Sequence, residues 1–250
     1  MMLTPNERER YDRQIMIQGI GVEGQEKLRR SRVLVAGAGG LGSPVAIYLN
    51  AAGVGTIRLV DHDQVTLSNL NRQILHGEED IGRKKIDSAT TKLRHLNSRV
   101  KIEAIAETIT EENVSHLAQG CDVIVDAMDN LPTRYVLNRC AVEKRIPFFH
   151  GAVSGFEGRA MTILPGKTAC LRCMYRGPIP QEKFPVIGVA PAMIGIIQAT
   201  EVIKYLVGIG KLLTNRLLIY DGLELTFTEL TVHKNPDCDH CGSQKKSEKV

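Results

Sequence analysis

Two cysteine pairs stand out by type and spacing: "CLRC" at residues 170–173 and "CDHC" at residues 238–241, with 64 residues between them. Paired Cys-x-x-Cys motifs in a reducing compartment are read first as metal ligands. Four thiolates, from Cys170, Cys173, Cys238 and Cys241, would satisfy the borderline softness of zinc in a tetrahedral site. One ion bridging both pairs would tie the end of the chain to its middle. A redox dithiol or unrelated thiols are the alternatives, and His240, between two of the cysteines, is expected to be a bystander, with replacement of one of the four thiols as its alternative. A closed four-thiolate site leaves no coordination position for a substrate, so the chemistry must lie elsewhere.

The strongest active-site signal is "SRVLVAGAGGLGSPVAIYLNAAGVGTIRLVDHD", residues 31–63. A strand over Arg32–Ala36 leads into Gly37, Gly39 and Gly42 at Gly-x-Gly-x-x-Gly spacing, a helix runs to Ala52, and a second strand, Thr56–Val60, ends at Asp61. Glycines at this spacing let a phosphate approach the backbone, and an acid at the next strand end can take ribose hydroxyls. Charged residues beyond Asp61 select the nucleotide. Hydride transfer gives no reason to gather cations and a metal ligand near the phosphates, yet Arg72 comes soon after the ribose acid, Lys84 and Lys85 open a helix, and "DVIVDAMD" ends in Asp126 and Asp129. Arg, Lys and Asp at the carboxyl ends of neighbouring strands fit ATP with magnesium.

The elements that must position these groups form an α/β pattern. Helices are predicted near 83–96, 110–118 and 131–144, alternating with strands in "VKIEAIA", "DVIVDA" and "PFFHGA", which implies parallel pairing in the first half. After Gly151, "GAVSGFEGRAMTIL" and "NRLLIYDGLELTFTELTV" read as antiparallel pairs flanking a helix around 191–207. The expected fold is a Rossmann-like, doubly wound mixed sheet in one unit over 1–242, with a polar, frayed tail over 243–250. At 250 residues and 43% apolar composition, a sizeable core is available. A net charge of +4, with basic residues scattered among 28 acidic ones, gives no case for nucleic acid. No apolar run is expected to approach bilayer-spanning length, and the charged start "MMLTPNERERYDRQ" lacks a signal-peptide core. The expected compartment is the cytoplasm, with no membrane partner.

From "RYDRQI" through "DHDQVTLSNLNRQ", "DAMDNLPTRYVLN", "HGAVSGFEGR" and "IQATEVIKYL" to "NPDCDHCG", the chain resembles the MoeB/ThiF/HesA adenylyltransferases of the ubiquitin-activating-enzyme superfamily. The resemblance implies an eight-stranded sheet, a homodimer, a structural zinc and an ATP–magnesium pocket. The implied substrate is the C-terminal Gly-Gly carboxylate of a small ubiquitin-like sulfur carrier. It implies that Gly40 approaches the nucleotide, Asp61 binds ribose, and Ser68, Asn69, Leu70, Asn71 and Arg72 lie along the phosphates. Lys85 would hold the phosphates, Asp129 would bind magnesium with Asn130 beside it, and Arg13 would enter the other subunit's pocket. Some relatives link covalently to the carrier through a cysteine in the segment matching 174–191; here that segment has none. Cys121 and Cys140 read as packed side chains, so no thioester step is expected. No rhodanese-like stretch is present, so sulfur is expected from a separate persulfide donor such as a cysteine desulfurase. An NAD-dependent oxidoreductase would leave Arg72, Lys85 and Asp129 together unexplained. A zinc-stabilised, non-catalytic binding scaffold would leave the same charged set idle.

Overall fold

The computed structural model describes residues 3–175 and 184–242. The 243–250 tail and residues 176–183 of the cysteine-free segment lie outside the described residues. The chain opens with α1 (Pro5–Arg10), α2 (Asp12–Ile15) and α3 (Gly21–Arg30). The glycine-loop unit comes next, as predicted: β1 (Arg32–Ala36), α4 (Gly42–Ala51) and β2 (Thr56–Val60). Beyond it lie α5 (Lys85–Leu96), β3 (Lys101–Ile105), α6 (Val114–Leu117), β4 (Val123–Asp126) and α7 (Leu131–Lys144). The remainder is β5 (Phe148–Ser154), β6 (Glu157–Ile163), α8 (Leu171–Met174), α9 (Val189–Val207), β7 (Arg216–Asp221) and β8 (Thr226–Thr231).

The eight strands form one sheet in the order β3-β2-β1-β4-β5-β6-β7-β8. Neighbours from β3 to β5 are parallel, and those from β5 to β8 are antiparallel. The expected change at Gly151 therefore falls inside β5, which pairs parallel on β4 and antiparallel on β6. The buried strands β1 and β4 carry Val33, Leu34, Val35, Val123, Ile124 and Val125 into the core, the continuous apolar runs that a sheet covered on both faces requires.

Two expectations need correction. The helix predicted over 110–118 shrinks to α6, because Asn113 turns the preceding chain by side-chain bonds. Its Oδ1 accepts the Thr110 N–H at 2.9 Å and its Nδ2 donates to the Thr108 carbonyl at 2.9 Å, in competition with a helical ladder. The second concerns α9, which is long and apolar enough to cross a bilayer, against the expectation that no run approaches that length. It nevertheless packs against α3, α4, β5 and β6. Its buried Gln198 donates to the carbonyls of Asp126 at 2.8 Å and Phe149 at 2.9 Å, while buried Glu201 accepts the Thr162 hydroxyl and the Leu213 N–H, each at 2.6 Å. Bonds from these buried polar groups to sheet and loop partners make α9 a core helix.

Candidate active site

Parallel pairing opens the carboxyl ends of β2, β1 and β4 along one edge of the sheet. The chain leaves β1 towards β2 on one side, whereas β4 lies on the other, so a crevice forms where the strand order reverses. The segments following these three strands carry the predicted nucleotide residues from Gly37 to Asn130.

The loop after β1 is shaped by glycine. Gly37 has φ +102°, and a Cβ there would meet the Ala127 carbonyl oxygen at 2.7 Å; a Cβ on Gly42 would meet the Gly37 carbonyl oxygen at 1.9 Å. Neither position admits a side chain. At Gly39 the nearest atom would be 3.6 Å away, in the Gln73 amide, so the missing side chain there leaves a cradle open to a ligand. Gly40 faces Pro191 and the Arg72 Cγ, which brings the start of α9 and the 67–76 segment to the same place. Gln73 has a buried Oε1 beside this cradle with no partner among the described residues, a group that no motif reading singled out.

Asp61, the predicted ribose acid, already holds the loop: its Oδ2 accepts the Ala38 N–H at 2.8 Å and its Oδ1 accepts the Asp63 N–H at 2.9 Å. Each carboxylate oxygen keeps a second lone pair for a hydroxyl. Lys85, the first residue of α5, is buried, with Nζ 2.8 Å from Asp63 Oδ2 and 4.0 Å from Asp61 Oδ2. Asp63 thus pre-positions the predicted phosphate cation, a partnership visible only in three dimensions. Arg72 donates from Nη1 to the Ser68 carbonyl at 2.9 Å and to Asn71 Oδ1 at 3.0 Å. Ser68 and Asn69 lie in the 3-10 turn Leu67–Asn69, where Asn69 Oδ1 accepts the Thr66 N–H at 3.2 Å; Leu70 is half-buried and Asn71 exposed.

The loop after β4 presents Asp129, which is exposed and within 3.4 Å of the Asn130 amide. Asn130 caps α7 by accepting the Thr133 N–H at 2.9 Å. Asp126 turns inward instead: it is fully buried, with Oδ2 2.7 Å from His150 Nδ1 and 3.5 Å from Arg134 Nε. Arg134 also donates to the carbonyls of Met128 at 2.5 Å and Gly151 at 3.0 Å, which clamps the loop that carries Asp129. Burial pulls the His150 pKa below its ordinary value against the pull of Asp126, so the ring is neutral at physiological pH. Arg13 is exposed on α2, an element separate from these three loops.

The four predicted thiols converge. Cys170 Sγ lies 3.9 Å from Cys173 Sγ and 3.6 Å from Cys238 Sγ, and Cys173 Sγ lies 3.4 Å from Cys241 Sγ. Zinc–sulfur bonds of about 2.3 Å in a tetrahedron put sulfurs about 3.8 Å apart, so the donor set fits that ion. Burial pushes the Cys170 thiol up to about 11, and burial with neighbouring sulfurs pushes Cys241 up as well. A bound cation offsets the mutual repulsion of thiolates placed this closely. His240 is engaged away from the sulfurs, with Nδ1 accepting from the Asn138 amide at 2.7 Å. Cys121 and Cys140 are buried; burial raises Cys121 to about 11 and Cys140 above its ordinary value, the signature of inert packed thiols.

Residues 11–240 match the ThiF family. The chain belongs to the ThiF family. It is 43% identical to a sulfur carrier protein adenylyltransferase of Thermus thermophilus, over 98% of this chain and 94% of that one. It is also 43% identical to a SAMP-activating enzyme E1 of Haloferax volcanii, over 97% and 92% of the two chains. Against the adenylyltransferase and sulfurtransferase MOCS3-1 of Zea mays, identity is 41% over 93% of this chain but 51% of the other, so this chain spans about half of that protein. Among solved structures, the microcin C7 biosynthetic enzyme MccB in complex with N-formylated MccA superposes with a TM-score of 0.86 at 23% identity, covering 95% of this chain and 76% of that one, which shows the fold. As a ThiF-family protein aligned along its length with adenylyltransferases, the chain is a nucleotidyltransferase.

Proposed function

We propose that this ThiF-family enzyme adenylates the C-terminal Gly-Gly carboxylate of a small ubiquitin-like sulfur-carrier protein. The observation that supports the reading is that the segments following β1, β2 and β4, whose carboxyl ends share one edge of the sheet, carry the glycine loop, Arg72, Lys85 and Asp129. A carrier carboxylate oxygen attacks the α-phosphorus of ATP, a new P–O bond forms, and the bond to the β-phosphate bridging oxygen breaks. Pyrophosphate leaves with that electron pair, and the product is an acyl-adenylate. The attacking carboxylate is ionised near neutral pH, so no protein base is needed. Negative charge collects on the leaving pyrophosphate and around the α-phosphorus, where Arg72 and Lys85 act by positioning and electrostatic stabilisation.

Asp129 fits a magnesium ligand, because among the described residues its exposed carboxylate has only a long contact to Asn130. Magnesium bound there neutralises phosphate charge. Asp61 takes the ribose, and Gly37, Gly39, Gly40 and Gly42 admit the phosphates beside Ser68, Asn69, Leu70, Asn71 and Asn130. Arg13 from a second copy of the chain completes the pocket, which makes the working unit a homodimer. Cys170, Cys173, Cys238 and Cys241 hold a structural zinc. Residues 1–242 work as one adenylation unit in the cytoplasm, with sulfur delivered by a separate persulfide donor. The carrier's globular part docks on the antiparallel half, where Leu223, Leu225, Phe227 and Leu230 are exposed. Carrier-dependent ATP–pyrophosphate exchange, with magnesium and a Gly-Gly-ending carrier, is the expected activity. Nicotinamide reduction without exchange overturns the reading.

A further inference from the structure

His76 ends the segment that carries Arg72 and touches both walls of the nucleotide crevice. The residue is 6% exposed, with Nε2 3.0 Å from the Ala38 carbonyl oxygen and Nδ1 2.9 Å from Ser88 Oγ. A carbonyl only accepts, so the hydrogen sits on Nε2, and Nδ1 of the neutral ring accepts from the Ser88 hydroxyl. Burial lowers the ring's pKa, the Ala38 carbonyl and Asp80 oppose this, and Lys85 and Lys92 reinforce it. The neutral tautomer is therefore the working one at physiological pH.

Both ends of this bridge matter to the crevice. Ala38 lies between Gly37 and Gly39, and its N–H is held by Asp61. Ala38 is therefore gripped from two sides, by Asp61 through its N–H and by His76 through its carbonyl. Ser88 lies three residues beyond Lys85 on α5, and residues at that spacing share a helix face. The Ser88 end of the bridge lies beside Asp80, whose fully buried carboxylate is bound by Lys92 and Arg83.

We infer that His76 is a positioning residue for adenylation, one that sets the distance between the glycine loop and the Lys85 helix so that both meet one phosphate chain. This rests on the proposed binding of ATP in the crevice. A loop built from Gly37, Gly39 and Gly40 has few side chains to hold its own shape, and each backbone residue ordered only on binding weakens affinity. His76 orders it beforehand. Such a contribution acts on ground state and transition state alike, so its loss raises KM and spares kcat.

The test compares His76→Phe, His76→Gln and Ser88→Ala with the wild type in carrier-dependent exchange and in nucleotide titration without carrier. Phe keeps the ring and removes both hydrogen bonds; it is expected to raise KM for ATP about tenfold with kcat changed less than about threefold. Gln can donate to Ala38 and accept from Ser88, and is expected to restore KM to within about threefold of wild type. Ser88→Ala, which leaves the Ala38 bond in place, should fall between, and it serves the same purpose if the Phe variant fails to fold. An unchanged KM in His76→Phe, a loss confined to kcat, or no rescue by Gln overturns the inference. ATP binding by a wild type that shows no exchange sinks the carrier reading alone, with His76 still read by titration; absent ATP binding sinks both.

Discussion

The two halves of the sheet are secured by different means. In the parallel half, exposed groups such as Asp129 and Asn71 stand on loops held from beneath by buried polar side chains: Asp61 and His76 on Ala38, Arg134 on Met128, Gln198 on Asp126. In the antiparallel half, all six residues of β8 are exposed, and the cysteine cluster joins the α8 turn to the segment after β8. The difference teaches where each half tolerates change. A crevice that must meet phosphates within tenths of an ångström depends on directional hydrogen bonds, whereas an outer edge whose last strand is wholly exposed gains more from a metal cross-link.

That contrast can be broken in three places. The largest effect is expected in the parallel half: Asp129→Ala should lower the exchange rate at least about a hundredfold while the circular dichroism spectrum and the unfolding midpoint stay near wild type. Comparable exchange in the variant would place the metal on another residue. Next comes the antiparallel half, where Cys238→Ser should reduce bound zinc and lower the thermal midpoint by about 10 °C, with exchange retained at low temperature. A variant that loses exchange but no stability would reverse the division between the halves.

The smallest effect concerns the buried acid beneath the crevice. Burial pushes the Asp80 carboxyl up, but Lys92 and the Gly77 N–H outweigh it and bring the pKa down to about 2 from an ordinary 3.8. A folded-state pKa below the unfolded one gives stability that is present above about pH 4 and lost as pH falls towards about 2. A difference of nearly two pKa units corresponds to about 2 kcal/mol. Denaturant unfolding at successive acid pH values should show wild type losing about that much more than Asp80→Asn over this window. Parallel curves for the two proteins would remove Asp80 from the acid response.

Residues whose chemistry travels with local spacing are legible in the sequence. The glycine loop, Lys85 at a helix start, Asp129 before α7 and the paired cysteines each announce themselves within a few positions, and the strand boundaries of β1 and β2 fall where the apolar runs end. Groups whose role depends on a distant partner are not. Asp63 gains its meaning from Lys85, 22 positions on, and His76 from Ala38, 38 positions back. The opening helix α1 is hidden for a related reason: it is set by a capping box between Thr4 and Glu7 and a proline at its start, with almost no buried face. Helix α6 is shorter than its sequence suggests because Asn113 has no apolar period to betray the turn it makes.

Helix α9 has a mechanical consequence. Nineteen residues extend about 28 Å. Its first turn sits beside Gly40 through Pro191, its middle grips the ends of β4 and β5 through Gln198, and Glu201 one turn further holds β6 through Thr162. The place where the sheet changes from parallel to antiparallel, a natural point of weakness, is therefore spanned by a strut instead of a hinge. A force applied to the antiparallel half would be carried along the axis of α9 towards Gly40 and the wall of the crevice, so the two halves of the sheet share a single stiff member.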